Sequence, residues 1–248
     1  MRKTILEAVV GSTVHGTAVP DGLEDLDLMA VVLEDPPTFI GFNTSDSWVT
    51  RTKPMGVRSE AGDVDHVAYG LRKYLGLALK SNPSILLALF VPDAHVREIT
   101  AEGQALRALA PDIVSKQAHA SFRGYMRQQH ERLLGTRGQR NVTRPELVQA
   151  YGYDTKYAAH VVRLGLQGEA LLLSGRISLP MPEADRARVV MVRTGGFSLA
   201  EVSEQIVAVE RRLDAAHAAS PLQERPDSAK VERWMIDTYL AHWKTPGT

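Results

Sequence analysis

The residues best suited to chemistry lie near the start of the chain. Gly11 and Ser12 follow an apolar segment, and Asp25 and Asp27 come after a short glycine-containing loop. Strand residues separated by one position point to the same face, so these carboxylates would project together and repel each other unless cations lie between them. A Gly-Ser turn after a strand offers backbone N–H groups and a hydroxyl to phosphate oxygens. The combination predicts a site for a polyphosphate bound together with magnesium.

A third carboxylate is expected on a later strand. The segment Val64 to Ala68 lies between Gly62 and Gly70 and carries Asp65. Magnesium prefers oxygen ligands and is often held by one or two carboxylates plus substrate phosphates. With Asp65, the set would hold two ions, Mg²⁺ or Mn²⁺, one beside the attacking oxygen and one beside the leaving group. For the pair Asp25 and Asp27 the alternative is a solvated strand edge, although charged residues are depleted in strands and costly to bury.

One stripe of basic residues is predicted in the second half of the chain. Lys156, His160 and Arg163 are spaced i, i+4 and i+7, so they share one face of a helix beside an apolar stripe. These cations could face a triphosphate, with Asp154 orienting one of them. A solvated basic edge beside the core is the alternative explanation.

A second basic feature is the stretch from Lys116 to Arg144. It contains seven Lys or Arg residues and a single acid, Glu131. Nucleic-acid backbones are bound mainly by clustered Lys and Arg, so this stretch is the candidate surface for RNA. A solvated helix face explains the same composition equally well.

Composition limits the other possibilities. The 248 residues include 29 basic and 29 acidic side chains, so no overall charge drives binding to nucleic acid or to an anionic membrane. The chain has no cysteine, which excludes disulfides, thiolate metal sites and cysteine catalysis, and is consistent with a reducing compartment. No segment approaches the ~20 apolar residues that span a bilayer. We therefore expect a soluble, cytoplasmic protein without a membrane partner.

The pattern of predicted elements changes near residue 110. Short apolar runs separated by turn residues predict an α/β arrangement before that point, and helical periodicity dominates after it. We therefore predict a catalytic core over residues 1–110 and a mainly helical domain over residues 111–248. The predicted strands are 5–10, 26–33, 64–68 and a short one at 176–179, and the predicted later helices are 112–134, 145–174, 198–218 and 227–243.

These motifs resemble a known superfamily. The segment from Gly11 to Gly16, followed by 24–28, resembles the Gly-Ser turn and Asp-x-Asp signature of the DNA polymerase β-like nucleotidyltransferases. Residues 65–75, 80–86 and 153–164 are similar to the bacterial and phage branch of predicted nucleotidyltransferases, some of which are linked to RNA repair. The resemblance spans about residues 5 to 235. It implies an α+β fold, with a short mixed sheet flanked by helices and followed by a mainly helical C-terminal part.

The resemblance also implies roles for single residues. Gly11 and Ser12 would form the triphosphate-binding turn, and Asp25, Asp27 and Asp65 would be the catalytic metal ligands. Asp63 would share the face of Asp65 if the strand began early, so the third ligand stays open between these two. The nucleotide-binding cations would be Lys73, Lys156, His160 and Arg163.

The predicted function follows from these roles. The protein would move a nucleoside monophosphate from a nucleoside triphosphate such as ATP to an acceptor hydroxyl and release pyrophosphate. An RNA 3′ end, such as that of a tRNA, is the favoured acceptor. Transfer to a protein hydroxyl, as in AMPylation, and a non-catalytic nucleotide-binding regulator are the alternatives.

Overall fold

The computed structural model describes residues 2–19, 26–42, 44–52, 62–136 and 144–244. Its described strands all lie before residue 100 and form one sheet. The strands are β1 (Arg2–Val9), β2 (Leu26–Glu34), β3 (Ser47–Arg51), β4 (Val64–Gly70) and β5 (Val96–Ile99). The helices are α1 (Gly11–His15), α2 (Pro36–Ile40), α3 (Leu71–Ala78), α4 (Pro83–Phe90), α5 (Ala101–Ala108), α6 (Ala110–Ile113), α7 (Ala118–Leu133), α8 (Pro145–Tyr151), α9 (Thr155–Ser174), α10 (Glu183–Arg193), α11 (Leu199–Ala219) and α12 (Ser228–Lys244), with a 3₁₀ turn at Asp93–His95.

The sheet is mixed, with strand order β3-β4-β2-β1-β5. Strands β2 and β4 run parallel, and the other neighbouring pairs are antiparallel. The register between the parallel pair places Asp27 directly opposite Asp65. Register partners on adjacent strands point to the same face, so the sheet brings these two carboxylates side by side.

The two faces of the sheet have different surroundings. Met29, Val31 and Leu33 point from β2 into the large core that the helices share. The alternate residues of β2, Ala30 and Val32, form a small separate cluster on the other face. Because side chains alternate along a strand, Asp27 lies on the helix-covered face, at the end where β2 begins.

The helical part is organised around α9. This helix packs against α7, α11 and α10, and two glycines allow the close approach. A Cβ at Gly165 would lie 2.8 Å from Val209 Cβ, and one at Gly168 would lie 2.8 Å from Leu213 Cδ1. The close packing fixes the position of α9, and therefore of its basic stripe, relative to the rest of the core.

The last helix is attached to the far end of β2. The Tyr239 hydroxyl donates a hydrogen bond to Glu34 Oε2, and Trp243 Nε1 donates to the Glu34 carbonyl oxygen at 2.8 Å. Glu34 is only 2% exposed, and burial raises the pKa of its carboxyl although the Tyr239 hydroxyl acts in the opposite direction. Glu34 is thus one of the groups that hold the C-terminal helix; another is Asp112, which pairs with Lys230 at 2.8 Å.

Glu34→Gln is expected to flatten the pH dependence of stability. The raised pKa means that the folded state binds more protons than the unfolded state between the usual carboxyl pKa and the raised value, so the wild type loses stability as the pH rises through that window. Gln can still accept from Tyr239 but carries no charge. Denaturant unfolding from pH 4 to 8 should show a variant at least as stable as wild type at pH 7, and a lower stability there would contradict the assignment.

Three predicted elements differ from the structure. The expected helix 112–134 is interrupted at residues 114–117, between α6 and α7. The expected strand at 176–179 is wrong, because this segment forms neither strand nor helix. The expected helix 145–174 is two helices, since Gly152 adopts a left-handed conformation (φ 80°) at the end of α8 and Asp154 caps the start of α9. Local periodicity continues across such a break, but backbone hydrogen bonding does not.

The predicted α+β fold class is confirmed: a mixed sheet is flanked by helices and followed by a mainly helical part. The division into units at residue 110 stays a prediction. Within the described ranges, no helix is both long enough and apolar enough to cross a membrane.

Candidate active site

The turn after β1 lies directly against the carboxylate of Asp27. Gly11 has a φ of 74°, and a Cβ placed there would overlap Asp27 Oδ2 and lie 2.9 Å from its Cγ. The Val10 N–H also donates to the Asp27 carbonyl oxygen at 2.9 Å. Only glycine combines this backbone conformation with so close an approach. The structure therefore brings Gly11, Ser12 and Asp27 together.

Asp65 is the second carboxylate of this site. Arg51 Nε on β3 lies 3.4 Å from Asp65 Oδ1, which is ion-pair distance but lacks hydrogen-bond alignment. That oxygen is buried and has no hydrogen-bond partner among the described residues. A buried carboxylate oxygen without a donor is unfavourable unless a ligand supplies the missing interaction.

The position of Asp63 differs from that of Asp65. The Asp63 carboxylate accepts a hydrogen bond from Thr52 Oγ1 at 2.9 Å, and the Thr52 oxygen in turn accepts from Val64 N. Asp63 thus closes the junction between β3 and β4, whereas Asp65 faces Asp27. The geometry favours Asp65 as the third carboxylate. Asp25, the remaining predicted ligand, lies outside the described residues.

The donor set is suited to a hard divalent cation. Asp27 and Asp65 are register partners on strands ~4.8 Å apart, so both carboxylates can reach one ion between them. The unpartnered Asp65 oxygen and the glycine that leaves space beside Asp27 both fit such an ion. Among the described residues, no group of three or more His, Asp or Glu is positioned to hold a metal. Asp25, which is predicted to be a further ligand, lies outside the described residues.

The basic stripe of α9 reaches the same turn through His15. Arg163 donates from one terminal nitrogen to His15 Nε2 at 2.8 Å and to Gln167 Oε1 at 2.8 Å. The Gln167 amide nitrogen lies 3.0 Å from His15 Nδ1, which closes a triangle of three side chains. His15 is buried and belongs to α1, so this triangle fixes α9 against the residues that follow Ser12.

The environment of this region disfavours a charged imidazole. Burial, with smaller Coulombic contributions from Arg163 and His160, holds the pKa of His15 well below its usual value. Burial lowers the pKa of His160 to about 3, with contributions from Arg163, Arg132 and Lys156, and burial lowers the pKa of Arg163 to about 10. Both imidazoles are therefore neutral at pH 7, while Arg163 stays charged.

Arg163 has no carboxylate at ion-pair distance in the described part of the chain. Its hydrogen-bond partners are the neutral side chains of His15 and Gln167. A cation withdrawn from water without an acidic partner is costly, and an anionic ligand would offset that cost. Of the predicted stripe Lys156, His160 and Arg163, Arg163 contacts α1, through the His15 ring.

Asp154 does not orient the cations of this stripe. Its carboxylate caps α9 by accepting from the Lys156 and Tyr157 backbone N–H groups, and it pairs with Arg144 at 3.2 Å. The cation that Asp154 holds is therefore Arg144.

Lys73 lies away from the other predicted site residues. Its Nζ is 3.1 Å from Asp46 Oδ2, and the Asp46 carbonyl oxygen accepts from Gly70 N, at the far end of β4. Gly70 is five residue steps along β4 from Asp65, a distance of about 17 Å. The structure does not bring Lys73 to the carboxylate pair.

The basic stretch from Lys116 to Arg144 is partly neutralised. Within the residues that the structure describes, four of its cations form ion pairs, and Arg123, for example, lies 3.2 Å from Asp214 on α11. The other pairs are Lys116 with Glu224, Arg127 with Glu131, and Arg144 with Asp154. The net positive charge offered to a polyanion is smaller than the sequence alone indicates, so RNA binding by this stretch stays a prediction.

Sequence reasoning missed two residues of the site, Gln167 and Arg51. Gln167 lies one helical turn after Arg163, so extending the i, i+4 spacing by one step would have found it. Arg51 is at the end of a short edge strand, and only the antiparallel pairing of β3 with β4 places it opposite Asp65. No local signal identifies such a residue.

The fold and the site together define the class of protein. A mixed sheet that sets a Gly-Ser turn against paired aspartates, with helices on one face, is a nucleotidyltransferase-like arrangement. The chain belongs to the RlaP family, described as the RNA repair pathway DNA polymerase beta family, whose model matches residues 2–237. The predicted family is therefore confirmed, and it connects the chain with nucleotidyltransferases and RNA repair.

One solved structure extends the comparison. The chain is similar to a nucleotidyltransferase-like protein from Exiguobacterium sibiricum 255-15, with 10% sequence identity and a TM-score of 0.31. The match covers 99% of this chain and 77% of that one. No curated protein matches.

Proposed function

We propose that the protein is a magnesium- or manganese-dependent nucleotidyltransferase that transfers a nucleoside monophosphate to an acceptor hydroxyl. The observation that carries this proposal is the pairing of Asp27 with Asp65 beside the Gly11 turn, the turn that we propose binds phosphate. Membership of a family linked to RNA repair supports the same function.

In this proposal the acceptor oxygen attacks the α-phosphorus of a nucleoside triphosphate. A new bond forms between that oxygen and the phosphorus, the bond to the bridging oxygen breaks, and pyrophosphate leaves while the hydroxyl loses its proton. Asp27 and Asp65, with Asp25 as the predicted third ligand, would hold two divalent ions. The ions, when bound, supply charge neutralisation at the attacking and leaving oxygens. Asp65 is the candidate acceptor for the hydroxyl proton.

The remaining site residues would bind the phosphates. Gly11 and Ser12 offer backbone N–H groups and a hydroxyl, and Arg163 offers a charge that no described carboxylate neutralises. His160 and Lys156 continue the stripe on α9. Stabilisation of the transition state in this site is electrostatic and does not require a covalent intermediate.

We propose an RNA 3′ end as the acceptor, on the basis of the family's link to RNA repair. The stretch from Lys116 to Arg144 is the candidate contact surface. Exposed ion pairs such as Arg123 with Asp214 are weak, so phosphate groups can replace the acidic partners at little cost.

The test is to incubate the protein with each α-labelled nucleoside triphosphate, magnesium or manganese, and mixed cellular RNA. Wild type is compared with Asp27→Ala. Label in RNA with wild type alone is the expected result, and the labelled species identifies the base and the acceptor. Label in protein would instead support an AMPylating-type enzyme. Binding without transfer would support a regulatory homologue, and both results would overturn the proposed RNA acceptor.

A further inference from the structure

The far end of α1 is covered by a cation from α10. Gly16 ends α1 with a φ of 70°, and a Cβ placed on it would lie 2.9 Å from Arg186 Cδ and 3.1 Å from Pro180 Cβ. The hypothetical Cβ would also lie 3.4 Å from a terminal nitrogen of Arg186. The absence of a side chain at Gly16 therefore lets the Arg186 side chain lie against the backbone of the turn.

Arg186 is not needed to complete the hydrogen bonding of this turn. The Ser12 carbonyl oxygen accepts from Thr17 N at 3.0 Å, and the His15 carbonyl oxygen accepts from Met181 N at 3.1 Å. In the part of the chain that the structure describes, Arg186 forms no ion pair and no side-chain hydrogen bond. A partly buried guanidinium that has neither an acid nor a carbonyl to bind is available to an anion.

Two cations from different elements thus meet α1 at successive residues. Arg163 on α9 binds the His15 ring, and Arg186 on α10 lies against Gly16. The other end of α1, at Gly11, is the end that contacts Asp27. Five helical residues span about 7.5 Å, so α1 separates the carboxylates from Arg186 by roughly that length.

We infer that Arg186 binds the terminal phosphate of the nucleoside triphosphate, which makes it a binding residue that selects triphosphate over diphosphate. The inference rests on the proposed function. Transfer chemistry places the α-phosphate beside Asp27 and Asp65, and a phosphate chain that extends from there along α1 has its last phosphate nearest Gly16. Arg163 and Arg186 then hold that phosphate from two sides.

The test measures binding of non-hydrolysable analogues of the four nucleoside triphosphates, and of the four matching nucleoside diphosphates, to the full chain by calorimetry, with magnesium present. Arg186→Gln is expected to bind the triphosphate analogue about tenfold to a hundredfold more weakly, because hydrogen bonds between charged groups are the strong ones. Its affinity for the matching nucleoside diphosphate, which lacks the terminal phosphate, should change less than threefold. Arg188→Gln is the matched control, since Arg188 is on the same helix, exposed, and about 200° away around the axis. Arg186→Lys should recover part of the loss.

The outcomes separate this inference from the proposed function. If wild type binds none of these nucleotides, the proposed nucleotide site is wrong. If wild type binds a triphosphate analogue and Arg186→Gln binds it equally well, only the role of Arg186 is wrong. Equal losses for the triphosphate and the diphosphate, with a lowered Tm in the absence of ligand, would assign Arg186 a structural role. Weaker RNA binding with unchanged binding of the triphosphate analogue would assign it to the acceptor, and either result would overturn the inference.

Discussion

Asp65→Asn is expected to reduce nucleotidyl transfer about a thousandfold or more, while Asp63→Asn keeps activity within a fewfold of wild type. Asparagine retains the shape of the side chain but removes the charge that would hold a divalent ion. Mutation of a residue that only supports a metal ligand already lowers metal affinity or activity about 10- to 100-fold. We therefore expect a larger loss of activity when the ligand itself is replaced. An asparagine that replaces Asp63 can still accept the hydrogen bond from Thr52, so the matched change two residues away should be nearly silent.

The measurement is single-turnover transfer from a labelled triphosphate at saturating magnesium, with thermal unfolding as the control for folding. Asp65→Asn should unfold at the wild-type temperature or above it, because the change removes repulsion between Asp65 and Asp27 in the metal-free protein. Equal losses in the two variants would show that the third carboxylate is not Asp65 alone. Full activity of Asp65→Asn would remove it from the mechanism.

Gly11→Ala is expected to lower both activity and stability. The added Cβ would overlap Asp27 Oδ2, and the φ of 74° is strained for any residue with a Cβ. Strain of this kind costs about 1–3 kcal/mol, and the displaced carboxylate would no longer face Asp65. We expect activity to fall about a hundredfold, since displacement of a reacting group by about 1 Å has effects of that size.

Gly76→Ala is the control for this change. Gly76 is in α3, and a Cβ added to it would have no atom within 4 Å. Its backbone φ is not in the left-handed region, so alanine is not strained there. Alanine there should stabilise the helix by up to about 1 kcal/mol and leave activity unchanged. Denaturant unfolding and the same transfer assay check both variants. A Gly11→Ala protein with normal turnover would show that the turn does not position Asp27.

Much of the carboxylate site could be predicted because its signals are local. The alternation of apolar residues around Asp27 places it on a strand, and the Gly-Ser pair indicates the turn before it. The i, i+4, i+7 spacing likewise predicts the face of α9 that carries Arg163. These patterns depend on backbone geometry over a few residues, and the structure retains that geometry.

The missed features depend on contacts between distant segments. Arg51 meets Asp65 only through the pairing of β3 with β4, and two of the four ion pairs of the basic stretch involve distant acids: Asp214 is 91 residues from Arg123, and Glu224 is 108 residues from Lys116. Helix α10 was absent from the predicted elements, because four of its apolar residues form one run from Val189 to Val192 instead of a helical stripe, and only Val189 and Val192 are buried. Composition and spacing contain no information about which distant residues will meet.

The hydrogen bond between Glu34 and Tyr239 has a consequence for how the protein is made. Strand β2 carries Asp27 near its start and Glu34 at its end, and the partner of Glu34 is 205 residues further along the chain. A nascent chain can form the early strands long before α12 leaves the ribosome. Until then the Glu34 carboxylate lacks the hydrogen bond from the Tyr239 hydroxyl. Domains normally form in the order in which they are synthesised, but here one of the first strands obtains its last contact from the last helix. Chains that stop short of α12 should therefore leave Glu34 in contact with water and be preferred targets for proteolysis.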